Sequence, residues 1–406
     1  MKVPGRMLLL LLLASAIPAQ GKNLLFYGNS FTYYVWGYGV PEAVGWIATA
    51  AGHANPTIVS ALTGGGTLQY YATDPAQIAA IGSLPPGQTW DCVVMQGHAL
   101  EATNGLGFNA ATFRSSAVTI MGNVRAHSPA ARAVMFQTWA SAWGQMYYPM
   151  PWPVPMAMHD EIRGNYHLAV ADIDAAFGAG AASNAAVGDA VALLEWDPAW
   201  YEADRFHPSP SMILLAAMCI YTSVYGQTVC EIDFQPASPL GQALAAFGIG
   251  EAEWQHLAGL ADRCADPALR HYPGSGDHLL LETGAGPGPA TACPLASMTV
   301  GTFVQMRLRS LNGVYDGAPG WLLINLFLTG APPGPSPTYP EVQVDFGSML
   351  ILTSSATLAN PLSFAIPMPF SFPGLSVLVQ GLAAQESTET GNPVFTTTDA
   401  HELVFY

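Results

Sequence analysis

The stretch that decides the fold is LLFYGNSFT, residues 24–32. Its four leading apolar residues predict a short buried strand, and the Gly-Asn-Ser that follows predicts a tight turn where the strand ends. Ligands of open parallel sheets bind at the carboxyl ends of the strands. A serine in this turn, Ser30, would therefore stand at the mouth of a cleft with its own backbone N–H directed into it. In the alternative interpretation, Ser30 only caps the following helix.

Outward from this strand, short apolar runs alternate with helical patterns as far as residue 265. The predicted strands are residues 23–27, 57–61, 91–95 and 133–138, with a short strand and its turn within 185–191. The predicted helices are residues 41–51, 108–127, 159–177 and 211–225, with one or two more over 235–265. Strands that alternate with helices predict an α/β domain in which helices cover both faces of a parallel sheet.

The chain changes character in its last third. From residue 271 onward it has nine acidic residues, two arginines and no lysine. Short apolar runs separated by Gly, Pro and Ser predict strands at residues 302–308, 321–328, 349–353, 363–367, 375–380 and 402–406. This pattern indicates a C-terminal all-β sandwich. The predicted organisation is a signal peptide at 1–20, an α/β domain at 22–268, a linker at 269–296 and the sandwich at 297–406.

The composition excludes several classes of function. Of the 406 residues, 50% are hydrophobic and 10% are charged, so the chain is not an ordinary disordered one. The net charge is −16, from 12 basic and 28 acidic residues. Nucleic acid is not expected as a partner, because phosphate binding needs clustered Lys and Arg, and docking on anionic lipid is disfavoured for the same reason.

The N-terminus is typical of a secretory signal peptide. Lys2 and Arg6 form a basic region, residues 7–13 are almost entirely leucine, and small residues that permit cleavage follow up to Gln20. The apolar run is too short to span a membrane, so we expect a secreted or extracytoplasmic protein with no membrane span after cleavage. An uncleaved N-terminal anchor is the alternative.

Export permits disulfides, and the chain has an odd number of cysteines. Cys92 and Cys219 lie in apolar runs and are expected in the core. Cys230 and Cys264 lie in a more polar segment, so we expect these two to form a disulfide.

A second polar block lies far downstream of Ser30. Asp204 and His207 are three residues apart in a predicted turn before the helix at 211–225. At this spacing the carboxylate can hold the imidazole Nδ1–H, which leaves Nε2 free to accept the proton of Ser30. A surface turn that caps a helix is the alternative. The joint occurrence of a strand-end Gly-x-Ser and an Asp-x-x-His favours the catalytic interpretation.

Four blocks of the sequence resemble those of the SGNH/GDSL hydrolase superfamily, in the branch whose first block reads GNSFT. The blocks are GNSFT at 28–32, GGGTL at 64–68, VVMQGH at 93–98 and DRFHPS at 204–209. The resemblance covers about residues 22–230, and the first and last blocks are its specific parts. It implies an SGNH-like, flavodoxin-like sheet for the α/β domain.

The resemblance also implies roles for individual residues. Ser30 would be the nucleophile, His207 the general base and Asp204 the group that orients His207. The oxyanion would be bound by the backbone amide of Ser30 and by that of Gly65 or Gly66.

A side-chain amide normally completes the oxyanion hole in this superfamily, and here the sequence departs from the pattern. Ala99 stands where an Asn is common. Gln96 is the nearest carboxamide, and we assign the role to it. No metal or cofactor is implied, and the P-loop, HExxH and strand-following GxGxxG motifs do not occur.

A loop rich in aromatic residues and proline follows the predicted strand at 133–138. Its prolines prevent a regular helix, and a long loop at this place can line the cleft. Packing against the core or the second domain is the alternative. The residues that we predict to contact substrate are Asn29, His98, Trp139, Trp143 and Trp152, although His98 could equally be a hydrogen-bonded strand-end histidine.

Two functions of different classes are compatible with these patterns. The first is a secreted, metal-independent serine ester hydrolase acting on carboxylic esters, such as O-acetyl groups of glycans, lipid esters or polyesters. The second is a non-catalytic binding protein on a hydrolase scaffold, in which the β domain binds a glycan or a surface. The reactivity of Ser30 distinguishes the two, and the presence of nucleophile, base and orienting acid favours the enzyme.

Overall fold

A computed structural model describes residues 21–33, 37–286, 288–298, 303–368 and 372–405. The predicted signal peptide at 1–20 lies outside the described residues. Within those ranges, no helix is both long enough and apolar enough to cross a membrane.

The first domain is built on a parallel sheet of five strands within the described residues. The strands are β1 (Asn23–Gly28), β2 (Thr57–Leu62), β3 (Cys92–Met95), β4 (Arg132–Phe136) and β5 (Ala182–Ala185). Their spatial order is β2-β1-β3-β4-β5, and every neighbouring pair is parallel. This is the flavodoxin-like order, and the predicted fold class of the domain is confirmed.

Helices cover the sheet and close the domain. They are α1 (Ser30–Tyr33), α2 (Val40–Ala50), α3 (Leu68–Thr73), α4 (Pro75–Ala79), α5 (Ala110–His127), α6 (Pro155–Phe177), α7 (Val187–Ala192), α8 (Pro210–Tyr225), α9 (Pro239–Ala245) and α10 (Glu251–Arg263). Helix α8 shows how sequence sets these bounds. The Ser209 side chain accepts the Met212 amide at its start, and Gly226 ends it in the left-handed conformation.

Several elements of this domain differ from the sequence-based prediction, which does not include α3 and α4. Helix α6 begins at Pro155 rather than at residue 159, because proline at the first helical position loses no hydrogen bond. Most of the predicted strand and turn at 185–191 is helix α7, and the strand β5 lies just before it. The small residues of this segment carry little periodic signal, so tertiary packing decides its conformation.

The second domain is a β-sandwich, as predicted. Its strands are β6 (Leu279–Ala285), β7 (Leu295–Met298), β8 (Phe303–Ser310), β9 (Gly320–Leu328), β10 (Leu350–Ser355), β11 (Leu362–Pro367), β12 (Leu375–Ala383), β13 (Thr396–Thr397) and β14 (His401–Phe405). One sheet has the order β10-β9-β12-β14-β7 with β13 beside β12, and the other has the order β11-β8-β6. Side chains such as Leu281, Leu308, Leu322 and Val379 from both sheets form one buried cluster between them.

The predicted linker at 269–296 is wrong in its second half. Strand β6 pairs along its whole length with β8, and β7 pairs with β14. Leu279 and Leu281 are 1% exposed in the sandwich core. The Gly/Pro-rich stretch that suggested a linker is the connection between β6 and β7, so the sandwich begins near residue 279.

The disulfide joins Cys230 to Cys293, not to Cys264. Cys264 caps the end of α10 and carries a free thiol, whose pKa is raised to about 12 by burial. The bond ties the segment after α8 to the entry into β7. Sequence spacing could not identify this pair, because 63 residues separate its members and the domain boundary lies between them.

Removing this disulfide is expected to lower the free energy of unfolding by about 4 kcal/mol, because the bond closes a 63-residue loop in the unfolded chain. The measurement is urea unfolding of wild type with and without reductant, beside Cys293→Ser. Cys264→Ser is the control and should keep the full sensitivity to reductant. A wild type whose unfolding midpoint ignores reductant would contradict the prediction.

Candidate active site

The turn after β1 presents Ser30 as the first residue of the short helix α1. The Asn29 carbonyl accepts the Thr32 amide at 2.8 Å, and the Asn29 side-chain Oδ1 accepts the Phe31 amide at 3.1 Å. Gly28 is required here, because a Cβ at this position would lie 2.2 Å from Thr32 Oγ1. The result is a tight strand-to-helix turn with Ser30 half-buried at the carboxyl edge of the sheet.

A second turn, just before α8, carries Asp204 and His207. Asp204 Oδ1 accepts the backbone amides of Phe206 and His207, each at 3.0 Å. Arg205 between them has φ of +58°, a left-handed conformation that closes the turn. Oδ1 is thus engaged by the backbone of the turn itself. The second oxygen of Asp204, Oδ2, accepts the Nδ1–H of the His207 ring at 2.6 Å.

The two turns bring the side chains of Ser30, His207 and Asp204 into one chain of hydrogen bonds. Ser30 Oγ lies 3.0 Å from His207 Nε2, across 177 residues of sequence. Since Asp204 holds the proton on Nδ1, Nε2 is the acceptor for the serine hydroxyl. Burial raises the pKa of Asp204, but the hydrogen bonds from the His207 ring and from the two amides outweigh burial and hold the pKa below its ordinary value.

Two backbone amides that the resemblance assigns to an oxyanion hole have no acceptor within the described residues. One belongs to Ser30 itself and the other to Gly65, which has φ of +68° in the turn after β2. The Gly66 amide, which the sequence analysis considered as an alternative, donates to the Thr63 carbonyl at 2.9 Å and is engaged in that turn. Gly65 is therefore the glycine that can donate to an oxyanion.

Gln96 is not free to donate to an oxyanion, contrary to the expectation from the sequence. Its side chain is fully buried. Oε1 accepts the Asn29 amide at 2.8 Å and the Thr32 hydroxyl at 3.0 Å, while Nε2 donates to the Gly97 carbonyl. Gln96 thus braces the turn that carries Ser30.

The residues predicted to contact substrate separate into buried and accessible ones. Asn29 is 2% exposed, and its Nδ2 donates to the carbonyls of Gly66 and Gly97. Trp139 and Trp152 are also buried, so the prediction is wrong for these three. Trp139 stacks on Phe31 with ring centroids 4.5 Å apart, and therefore packs against the residue that follows Ser30.

Trp143 and His98 remain accessible. Trp143 is 47% exposed, and it shares its loop with the still more exposed Met146 and Met150. His98 is half-buried at the end of β3, where its ring stacks on Phe108 with centroids 4.9 Å apart.

The aromatic loop between β4 and α6 directly contacts the turn that carries Asp204 and His207. Arg205 Nη1 donates to the Gly144 carbonyl at 3.0 Å, and the Arg205 carbonyl accepts the Ala142 amide at 3.0 Å. Gln145 Nε2 donates to the Asp204 carbonyl at 2.9 Å. The loop therefore fixes the turn that orients His207. Arg205 lies within the DRFHPS block, but no role is predicted for it from the sequence.

Glu101 is a second residue that the sequence analysis missed. Its buried carboxylate accepts the amides of Leu68, Gln69 and His98 at 2.8, 3.3 and 3.1 Å. Burial raises the pKa of Glu101 even though the three amides oppose the shift. The carboxylate ties the start of α3, next to the glycine turn, to the end of β3. No sequence motif marks it.

A cavity of about 910 Å³ opens on the opposite edge of the sheet. Its lining includes Lys22, Arg132, Arg163 and Asp277, and none of the residues Ser30, Asp204 and His207. In the described parts of the chain, no group of three or more His, Cys, Asp or Glu side chains is arranged to hold a metal ion. The candidate site is instead the hydrogen-bonded group of Ser30, Asp204 and His207 at the carboxyl end of β1.

No protein-family model matches this chain, and no curated protein matches it. Among solved structures it is similar to a DUF4886 family protein from Bacteroides uniformis, with 16% identity and a TM-score of 0.45 over 60% of this chain and 93% of that one. A protein from Slackia heliotrinireducens that is proposed to be an SGNH hydrolase has 20% identity and a TM-score of 0.37, over 50% and 98%.

A carbohydrate acetylesterase from Sinorhizobium meliloti has 14% identity and a TM-score of 0.34, over 50% of this chain and 99% of that one. At these identities the similarity concerns the fold, and the activities in these names are those of the neighbours.

Proposed function

We propose that this chain is a secreted serine ester hydrolase that cleaves carboxylic esters through an acyl-enzyme on Ser30. The observation that carries the proposal is the pair of contacts through His207: 3.0 Å from Nε2 to Ser30 Oγ and 2.6 Å from Nδ1 to Asp204 Oδ2. A serine hydroxyl is a weak nucleophile unless a base accepts its proton, and a base in this position needs an acceptor for its second N–H. The chain supplies both groups.

Acylation uses these contacts in order. Ser30 Oγ attacks the ester carbonyl while its proton passes to His207 Nε2, and the resulting imidazolium is stabilised by Asp204. The carbonyl oxygen becomes an oxyanion, which the amides of Ser30 and Gly65 can bind. The tetrahedral intermediate collapses when the C–O bond to the alcohol breaks, and the alcohol leaves with the proton from Nε2.

Deacylation repeats these reaction steps with water as the nucleophile. His207 accepts a proton from a water molecule that attacks the acyl-enzyme, and the second oxyanion forms in the same place. Collapse breaks the bond to Ser30 Oγ, which regains its proton, and the carboxylic acid leaves. Neither half of the cycle requires a metal or an organic cofactor.

The surroundings of the site support an accessible ester rather than an enclosed metabolite. Met146 and Met150 are 82% and 77% exposed on the loop that contacts the catalytic turn, and Trp143 adds an aromatic surface. Such an apolar rim suits esters carried by a polymer or a larger surface, namely O-acetylated glycans, lipid esters or polyesters. In this proposal residues 1–20 direct export, the α/β domain performs the reaction, and the β-sandwich is a substrate-binding or anchoring module.

The experiment is active-site labelling of the mature, full-length protein with a fluorophosphonate probe, followed by peptide mapping. We expect one labelled residue, Ser30, and no labelling of Ser30→Ala. Ser83→Ala, which alters an exposed serine, is the matched control and should label like wild type. A folded wild type that does not label would overturn the proposal and would favour a binding function. p-Nitrophenyl esters of increasing acyl length then define the acyl preference.

A further inference from the structure

The oxyanion hole described so far has two backbone donors and lacks a side-chain donor. Gln96 and Asn29 are both engaged in bracing the nucleophile turn. Ala99, at the position where the superfamily pattern has Asn, is 2% exposed and has no polar atom to offer. A third donor, if the site has one, must come from another side chain.

His98 follows the strand that lies next to the strand preceding Ser30. Strands β1 and β3 are neighbours, and Tyr27 pairs with Met95 in parallel register. Ser30 and His98 each follow their strand partner by three residues, so both lie beyond the carboxyl ends of neighbouring strands, at the same edge of the sheet. The Asn29 side chain, which donates to the Gly97 carbonyl at 3.3 Å, ties the two turns together.

The His98 ring is held in one orientation. Phe108 stacks on it at 4.9 Å with an angle of 13° between the rings, and Glu101 accepts the His98 amide at 3.1 Å. Phe206, next to His207, lies 6.5 Å from the His98 ring, which places that ring on the same side of the cleft opening as the catalytic turn. Phe206 and His207 are themselves in contact, with ring centroids 5.2 Å apart.

The hydrogen bond at Nδ1 determines which nitrogen of His98 carries the proton. The Leu100 amide donates to Nδ1 at 3.3 Å, so Nδ1 is the unprotonated nitrogen and Nε2 carries the hydrogen. Nε2 has no acceptor among the described residues. Burial lowers the pKa of His98, and the nearby His207 lowers it further, so the ring is a neutral donor at neutral pH.

We infer that His98 Nε2–H is the third donor of the oxyanion hole and replaces the Asn of the superfamily pattern. The inference rests on the proposed function, because it concerns the same reaction at Ser30. Nε2–H donates to the carbonyl oxygen as that oxygen becomes negative, and no proton is transferred. Because the donor acts on the transition state and the acyl-enzyme chemistry is otherwise unchanged, its removal should lower kcat and leave KM nearly constant.

The test compares four variants by the kinetics of p-nitrophenyl acetate hydrolysis. His98→Phe keeps a ring that can stack on Phe108 and removes the donor, and His98→Ala removes both. We expect kcat to fall by about 10²–10³-fold in each, with KM within threefold of wild type. His98→Gln places an amide nitrogen near the position of Nε2, and its kcat should be at least tenfold higher than that of His98→Ala. The shorter side chain of His98→Asn reaches only the position of Nδ1, so its kcat should stay as low as that of His98→Ala.

Two further measurements distinguish a failure of the role of His98 from a failure of the proposed function. His53→Ala, which alters a histidine three residues after the end of α2, is the control for loss of a histidine and should keep wild-type kcat. Fluorophosphonate labelling of wild type tests the proposed function separately. If wild type labels and His98→Phe keeps more than a third of its kcat, or changes only KM, the role of His98 is overturned and the proposed function stands. If wild type neither labels nor hydrolyses the ester, both fall together.

Discussion

Replacing Ser30 or His207 by alanine is expected to lower kcat for ester hydrolysis on the order of 10⁴- to 10⁶-fold, and the double variant should be no worse than either. The reason lies in the 3.0 Å contact between Ser30 Oγ and His207 Nε2. Without the base the hydroxyl stays a weak nucleophile, and without the hydroxyl the base has no proton to accept. The losses of two groups that act as one unit do not add.

The measurement is turnover of p-nitrophenyl acetate by the mature protein, with thermal unfolding as the check of folding. Both side chains are only half-buried, so we expect little change in stability. Ser83→Ala provides the matched serine-to-alanine control and should keep wild-type turnover. If the losses of the two single variants multiply in the double variant, Ser30 and His207 do not act as one catalytic unit. A Ser30→Ala protein with more than one per cent of wild-type kcat would also contradict the prediction.

The second large effect is expected for Asp204→Asn, which should lower kcat by about 10³- to 10⁴-fold. Asparagine keeps an oxygen that can accept the amides of Phe206 and His207, so the turn should still form. Its amide group, however, presents N–H rather than an acceptor to His207 Nδ1. The ring then carries its proton on Nε2, where it can no longer accept the proton of Ser30.

Glu202→Gln is the matched control for this variant. Glu202 is a half-buried carboxylate two residues from Asp204, and its side chain accepts no hydrogen bond among the described residues. We expect it to keep kcat within about threefold of wild type. Equal losses in Asp204→Asn and Glu202→Gln would mean that the general negative charge near His207 matters, and would argue against a specific orienting bond.

The order of most helices and strands can be predicted from the sequence, because the periodicity of apolar residues and the position of turn residues are local properties of the chain. The strand before Ser30, the parallel α/β pattern and most strands of the sandwich are all predicted within a few residues of their observed bounds. Prediction fails at 185–191 and at the predicted linker, where short or small-residue segments carry little periodicity. There, pairing with β4 and β8 decides the structure.

For the candidate site, local sequence identifies Ser30, Asp204 and His207 as residue types with the right spacing and context. Only the tertiary structure brings Ser30 to within 3.0 Å of His207 across 177 residues. The tertiary structure also corrects the role predicted for Gln96. A carboxamide at this place could donate to substrate or hold the backbone of the turn, and only its hydrogen bonds to Asn29 and Gly97 distinguish these two roles.

The α/β-plus-sandwich architecture and the polar blocks at the strand ends can be predicted from the sequence, since they follow from composition and from neighbours along the chain. The tertiary structure decided the Cys230–Cys293 bond, the free amide of Gly65 and the orientation of His98. Each of these depends on contacts between segments far apart in the chain, and the direction of a side chain or an amide is not encoded in local spacing.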